Sequence, residues 1–533
     1  MRRLLSFVAS IVVVLPGVMD CRMSGIVSFA SAADAPAIVT QIDELIARRW
    51  KDADATPAGV ADDAEYLRRV SLHVNGCIPA VSTVRSFLAD TSADKRPRHV
   101  EEMLDGAAYV ASFSRYWRDV MLPDSSDPTT IGYAPGFEAW LREQLIDDVP
   151  YDVLAQKILM GRNAAGGIIL RDARSRQQAT PVGFYLSRQS VPENLAAATS
   201  RIFLGTRIEC AQCHDHPFGE WNQDQFWSLA AFFADARQTD PFSDGSKSVA
   251  KNADHLMLKV PGTERVARPV FLDGSAPKWS DAVEPQKTLA EWITMRDNPW
   301  FARTAVNRLW SHFFGRGLVD PVDDFSARNA ASHPEVLDLL AREFVEHRYD
   351  IKFLIRVITQ TRAYQLSSIR TDASQDEPQL FARMPVHWLS SSVIAESWMQ
   401  ATGTRRPFDQ NAVYRRREAG GFGELFAEDG LSPTEREATI RQALLLMNGT
   451  LVTAATDLRN SRTLAAVAEA PFLKTGDKIE ALFLAALSRR PTEKERERLV
   501  MYVLSGGPAK EEAEALADVF WALLNSSEFL LNH

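Results

Sequence analysis

The sequence predicts a mainly α-helical protein, two helical domains joined by a short β-containing segment. Three observations predict it. Apolar residues recur at helical spacing along most of the chain. Turn and stop signals such as Asn75-Gly76, Gly205 and Pro491 punctuate those stretches. Residues 236–288 change character, polar and broken by Pro and Gly, with two short β-like runs at 256–260 and 266–272 before Asp273-Gly274. With 533 residues, 46% apolar and 24% charged, the chain can bury more than one core and is neither disordered nor fibrous in composition.

In chain order, Met1-Arg2-Arg3, an apolar run over 4–18 and Ala30-Ser31-Ala32 before Ala33 have the layout of a secretory signal, so residues 1–32 are expected to be a signal peptide. The sequence after Arg2-Arg3 favours ordinary unfolded export over a twin-arginine route. Asp20 beside Cys21 is a poor lipobox residue. An uncleaved N-terminal anchor is the alternative. Beyond that run no stretch is apolar enough to span a membrane, so no span is expected after signal cleavage, and the localisation expected is periplasmic or otherwise exported. The formal charge of −9 becomes more negative once Arg2, Arg3, Arg22 and Asp20 leave with the signal, which argues against a nucleic-acid partner.

Residues 33–235 read as the first helical domain. Ile42, Leu45 and Ile46, then Leu67, Val70 and Leu72, mark short helices broken at Asn75-Gly76 and Pro79. Val100, Met103 and Leu104 continue into Tyr109, Phe113, Tyr116 and Trp117; after a turn cluster at 123–128, Phe137, Trp140, Leu141, Leu145 and Ile146 form another amphipathic helix. A helix from Pro192 to about Leu204 is closed by Gly205, and a second starts at Asn222 with Gln225 three residues on, as in a capping box. Between them lies a loop. Residues 236–288 form a linker or small β hairpin, and 289–533 a second helical domain, in which 403–433 reads as a surface excursion.

That loop carries the sharpest chemical signal, Cys210-Ala211-Gln212-Cys213-His214. Covalent haem attachment needs two thiols at short fixed spacing to add to two vinyl groups, and an imidazole directly after them to reach the iron. With four cysteines and ten histidines in the chain, chance would produce this pattern on the order of once in a thousand such chains. Two other readings stay open: a disulfide between Cys210 and Cys213, or a metal site made by Cys210, Cys213, His214 and His216. If haem binds, Phe218, Trp221, Phe226, Trp227, Phe232 and Phe233 are candidates for its apolar wall, and Met257, His255, His312 and His333 for the sixth iron ligand. Asp320, Asp323 and Asp324 form an acidic loop read as a turn with capping carboxylates ahead of a calcium or substrate site. Hydrolase and phosphate-loop motifs are absent from the sequence.

These motifs resemble a known pair of domains. The stretches 66–72 (Tyr66-Leu67-Arg68-Arg69-Val70-Ser71-Leu72), 210–218 and 227–233 resemble the planctomycete cytochrome-like domain, a family of unknown function. Asn298-Pro299-Trp300, Ser332-His333-Pro334-Glu335, Tyr364-Gln365-Leu366-Ser367-Ser368, Met447-Asn448-Gly449 and Asn525-Ser526-Ser527-Glu528-Phe529 resemble its C-terminal companion domain. The resemblance implies a helical fold, export and a cytochrome label that rests on the same Cys-x-x-Cys-His logic. Larger relatives carry an additional N-terminal cytochrome domain, so one haem at most is expected here. Cys77 stands where relatives have Leu, and reads as a small hydrophobe. The expectation is an exported single-haem c-type redox or electron-transfer protein with Cys210 and Cys213 as anchors, His214 as axial ligand and a redox partner protein. The alternatives are a non-catalytic exported scaffold or binding protein whose cysteine loop is a disulfide or metal site, and an enzyme acting on an extracellular polymer through the acidic loop.

Overall fold

The computed structural model describes residues 28–122, 128–161, 178–215, 221–236, 256–279, 284–404 and 456–533. The expected signal run at 4–18, Cys21, the turn cluster at 123–127, His216, Phe218, His255, Pro433 and the 405–455 stretch lie outside them.

The chain is mainly α, and the strands among the described residues are two residues long. Helices α1 (Ser28–Asp52), α2 (Asp63–Asn75), α3 (Val81–Ala89), α4 (Lys95–Leu104), α5 (Ala107–Met121), α6 (Pro128–Ile146) and α7 (Tyr151–Leu159) open it. The punctuation acts as expected. Asp62 caps α2 by accepting from the Glu65 amide, and Gly76 closes it in the left-handed region at φ 66°, where a Cβ would strain the backbone. After the short α8 (Gly183–Leu186) comes α9 (Pro192–Thr199), which widens into a π-helical turn at Ser200–Leu204 and stops at Gly205, φ 63°. Helix α10 (Gln223–Ala231) begins with both hydrogen bonds of the Asn222/Gln225 capping box. The expected hairpin is there in miniature: β1 (Leu258–Lys259) pairs antiparallel with β2 (Val266–Ala267), Leu258 opposite Ala267.

Helices α11 (Pro285–Ile293), α12 (Phe301–Phe314), α13 (Pro334–Glu346) and α14 (Ile351–Gln360) follow. A second strand pair, β3 (His387–Trp388) with β4 (Leu531–Asn532), ties the middle of the chain to residues near 530. Between these strands lie α15 (Ser391–Thr402), α16 (Arg462–Glu469), α17 (Thr475–Ala486), α18 (Glu493–Leu504) and α19 (Glu512–Leu524).

Burial groups the side chains into two large cores. The first runs from Ala35 to Met384 and also takes Leu484. It includes Leu258, Val260, Phe271 and Leu272 of the hairpin segment together with helices on both sides of it. The second gathers Leu389 to Leu530 and receives Leu72 and Ile78 from the α2 region. The 236–288 segment therefore does not separate the cores. Its polar composition conceals a few apolar residues that insert among the neighbouring helices, and the change of core comes between Met384 and Leu389.

Two arginines of α2 join the cores. Arg68 donates to the carbonyl oxygens of Ala486 (3.0 Å), Glu528 (3.1 Å) and Phe529 (2.9 Å). Arg69 donates to those of Tyr364 (2.6 Å), Leu366 (2.9 Å) and His533 (3.1 Å), and pairs with Glu65 at 2.6 Å. Both are buried. Burial pulls Arg68 down to about 10, and the surrounding oxygens offset that desolvation by solvating the guanidinium where water cannot. Beside them His73 contacts Tyr364 Oη at 2.8 Å through Nδ1 and Asn532 Nδ2 at 2.7 Å through Nε2, and stacks on His387 with ring centroids 5.7 Å apart. Burial holds His73 well below the usual histidine range, with the neighbouring His387 and His312 adding to it.

Candidate functional site

The Cys210–His214 loop is positioned from three sides. Behind it, the chain leaves the π turn at Gly205, whose carbonyl oxygen accepts from the Phe325 amide at 2.9 Å. A Cβ on Gly205 would stand 2.6 Å from the Phe325 ring and 2.7 Å from Thr304 Oγ1, so this close approach requires glycine. Two residues on, Arg207 pairs with Asp323 at 2.5 Å. The acidic loop of the second half thus braces the backbone that leads into the cysteines. Asn307 holds that loop in shape, donating to Val319 O at 2.8 Å and accepting from the Val319 amide at 2.9 Å. Asp323 takes up Arg207, and Asp320 lies 3.5 Å from Arg316, so two of the three aspartates are in ion pairs.

In front, residues Glu209–Gln212 make one 3-10 turn. Gln223 Nε2 donates to Gln212 O (3.1 Å) and Cys213 O (3.2 Å), and Trp227 Nε1 donates to Gln212 O at 3.0 Å. Asp215 Oδ1 accepts the Gln223 amide at 3.0 Å, one of the donors that a helix start leaves without an intrahelical partner. On the third side Arg265, in the hairpin, donates to Gln223 Oε1 at 2.6 Å and pairs with Asp224. The loop backbone is pinned while its reactive side chains face outward. Cys210, Cys213 and His214 are all exposed, and both cysteines are free thiols.

The imidazole has a defined tautomer. His214 Nδ1 lies 2.8 Å from Asp215 O; a carbonyl oxygen only accepts, so Nδ1 carries a hydrogen, and in the neutral ring the lone pair falls on Nε2. A histidine that ligates a metal through one nitrogen commonly donates the other N–H to a carbonyl or carboxylate. The donor set therefore fits covalent haem attachment: two accessible thiols, with an accessible imidazole whose second nitrogen is already oriented.

Of the aromatic residues named as a possible apolar wall, Phe218 lies outside the described residues and four of the others are packed into the core. Phe226, Trp227, Phe232 and Phe233 are 0–3% exposed and belong to the first core. Phe232 stacks on Phe271 at 5.2 Å, Phe226 meets Trp227 edge-on at 5.3 Å and Phe233 meets Tyr185 at 6.2 Å. Of these four, Trp227 reaches the loop, through its bond to Gln212 O. Trp221 is half-buried against the same core. Among the candidate sixth ligands, Met257 is exposed. His312 is half-buried, its Nε2 donating to His73 O at 2.9 Å, and His333 contacts Ser332 and Phe381; neither is committed to the loop. Among the described residues no group of three or more His, Cys, Asp or Glu could hold a metal ion; the four-ligand alternative includes His216, outside them. Cys77 is half-buried and its thiol is pushed up to about 11 by burial and the neighbouring Glu396, as suits a small core residue.

The comparisons with known proteins divide the chain at the same hairpin region. Residues 41–238 match PSCyt2, a protein of unknown function (DUF1549), and residues 285–421 match PSD1, a protein of unknown function (DUF1553). The chain carries the PSCyt2–PSD1 pair. The cysteine loop lies in the PSCyt2 domain, while Asp323, Phe325 and Asn307, which brace it, lie in the PSD1 domain. No curated protein and no solved structure matches the chain. No helix among the described residues is long and apolar enough to cross a membrane.

Sequence reasoning missed the bracing residues Arg207, Gln223, Asp215 and Arg265. The signal that could have found them is weak: polar residues flanking a chemically specific loop, with no indication of their partners 8 to 116 positions away.

Proposed function

We propose that this PSCyt2–PSD1 protein is an exported single-haem c-type redox or electron-transfer protein. Cys210 and Cys213 would hold the haem through thioethers, and His214 Nε2 would be a ligand to its iron. The observation that carries this reading is the exposed thiol pair beside an imidazole whose Nδ1–H is already engaged by Asp215 O. Each cysteine would be joined by addition of its S–H across a vinyl group, sulfur to one carbon and hydrogen to its neighbour, without net oxidation. Once bound, the haem would supply one-electron chemistry. Gln223 and Trp227 hold the loop carbonyls, Asp215 fixes the imidazole, and Arg207 with Asp323 anchors the approach to the cysteines.

The test is expression of the full chain with and without cytochrome c maturation machinery. The expected result is a mass increase of one haem and a pyridine haemochrome spectrum, both lost in the Cys210→Ala/Cys213→Ala variant. An unmodified mass in the presence of the machinery overturns the reading.

One observation favours a second reading, an exported scaffold or binding protein whose loop is stapled by a disulfide: the aromatic side chains nearest the cysteines are already packed into the core. Thiol titration before and after reduction separates the two, since two thiols released only by reductant, with no haem attached, identify the staple.

A further inference from the structure

Three imidazoles come together where the two cores meet. His73 is in the last turn of α2, between Leu72, which belongs to the second core, and Val74, which belongs to the first. Its ring centroid is 5.7 Å from that of His312 on α12 and 5.7 Å from that of His387 on β3. Strand β3 lies where the chain passes from one core to the other, and it pairs with β4 so that His387 stands opposite Asn532. The cluster therefore ties the end of α2, α12 and both strands at one point.

Hydrogen bonds fix His73 in the neutral form. Asn532 Nδ2 only donates, so His73 Nε2 accepts from it at 2.7 Å, and Nδ1–H donates to Tyr364 Oη at 2.8 Å. His312 Nε2 donates to His73 O at 2.9 Å, one of the carbonyls that a helix end leaves without an intrahelical partner. A further proton on His73 has to enter at Nε2, where it meets the Asn532 NH2 group, donor against donor, so a charged ring forces that amide of β4 to turn over or give way.

The surrounding charges also oppose a proton. Arg69, one turn earlier on α2, faces His73 with Glu65 as its ion-pair partner. His312 comes from α12, His387 from β3 and Tyr364 from the turn Arg362–Gln365. Beyond β4 comes His533, whose carbonyl accepts from Arg69. On the other neighbours of α2, Arg115 of α5 is paired with Glu396 of α15, Lys95 and Arg96 of α4 are paired with Asp63 at the far end of α2, and Arg85, the one charged residue of α3, is exposed. Desolvation holds His73 well below the usual histidine range, with His387, His312 and Arg69 adding to it, and desolvation lowers His312 and His533 as well.

We propose that this cluster is an acid-operated latch between the two cores: in mildly acidic solution, protons taken up by His73, His312 and His533 on opening release β3 and β4 from the end of α2, while the interior of each core stays folded. Closed, the joint excludes these protons. Open, each imidazole titrates near 6.5, so below about pH 6.5 each contributes a factor approaching about tenfold per pH unit to the opening equilibrium. The latch is shut above that pH and loosens as the pH falls.

The experiment is hydrogen exchange with mass spectrometry on the full chain at constant ionic strength, from about pH 7.5 to about pH 5, with exchange times scaled for the intrinsic rate. Peptides spanning 385–390 and 529–533 report on the joint; peptides from α14 in the first core and α19 in the second are the controls. Protection at the joint should fall by more than about tenfold per pH unit below about pH 6.5 while the controls hold. His312→Gln retains a donor for His73 O and His73→Asn one for Tyr364 Oη, and neither new side chain takes a proton; each should make the slope shallower by a factor approaching about tenfold per pH unit. Should His73→Asn fail to fold, His312→Gln carries the test. Protection at the joint that persists to about pH 5, controls that lose theirs in step with it, or an unaltered slope in the folded variants overturns the proposal.

Discussion

His333 should make the folded protein lose stability as the pH falls through the mildly acidic range. Its ring is 4% exposed, and burial, reinforced by the charge of Arg49, lowers its pKa to about 4. In the unfolded chain the same imidazole titrates near 6.5. Between these values the unfolded state binds a proton that the folded state refuses, so stability is complete above about pH 6.5 and drains away as the pH drops toward about 4. The slope from this residue approaches about 1.4 kcal/mol per pH unit, and the loss over the window is on the order of 3 kcal/mol. Asparagine at position 333 stays neutral throughout and removes this contribution. Urea unfolding of wild type and His333→Asn in chloride buffer, from about pH 7.5 to about pH 4.5, measures it: the variant's deficit, if any, at neutral pH should shrink or reverse on acidification. Curves for the two proteins that stay parallel across the range would refute the reasoning. His73 and His312, both lowered chiefly by desolvation, act in the same direction in both proteins and cancel from the difference.

Replacing Arg69 with Met should cost about 3–5 kcal/mol in urea unfolding, because it removes the buried donor of the Tyr364 and Leu366 carbonyl oxygens and the cation that pairs with Glu65; a loss below about 1 kcal/mol would show that the clamp contributes little. Protease digestion of an Arg68→Met variant should cut first in the 389–530 core, which loses its hydrogen bonds to α2 at Ala486, Glu528 and Phe529. Gly205→Ala should lower stability by about 2–4 kcal/mol, since it combines a left-handed backbone with an overlap against Phe325 and Thr304; an unchanged melting temperature would contradict the close approach.

The sequence was most informative where the cause is local. Asn222 and Gln225 satisfy each other's backbone amides within a single turn, so a capping box needs no distant partner, and the structure shows both bonds. Gly76 and Gly205 end their helices because only glycine takes the left-handed backbone without strain. Helical class followed from apolar spacing for the same reason, and the Cys210–His214 chemistry is contained in five consecutive residues.

Tertiary structure decided whatever depends on partners far along the chain. Arg68 and Arg69 have the look of a solvated charge pair in sequence; they are buried because carbonyl oxygens 295 to 464 positions away converge on them. Aromatic residues after the cysteines suggest a cofactor wall by proximity, yet Phe271 and Tyr185, remote in sequence, already fill the space against them. Arg207 finds Asp323 only because Gly205 lets two backbones meet. Hydrogen bonds within a turn are set by residue type and spacing, whereas burial and ion pairing depend on which surfaces the fold brings together. That is why the loop's chemistry could be read from five residues, and its setting only from the folded chain.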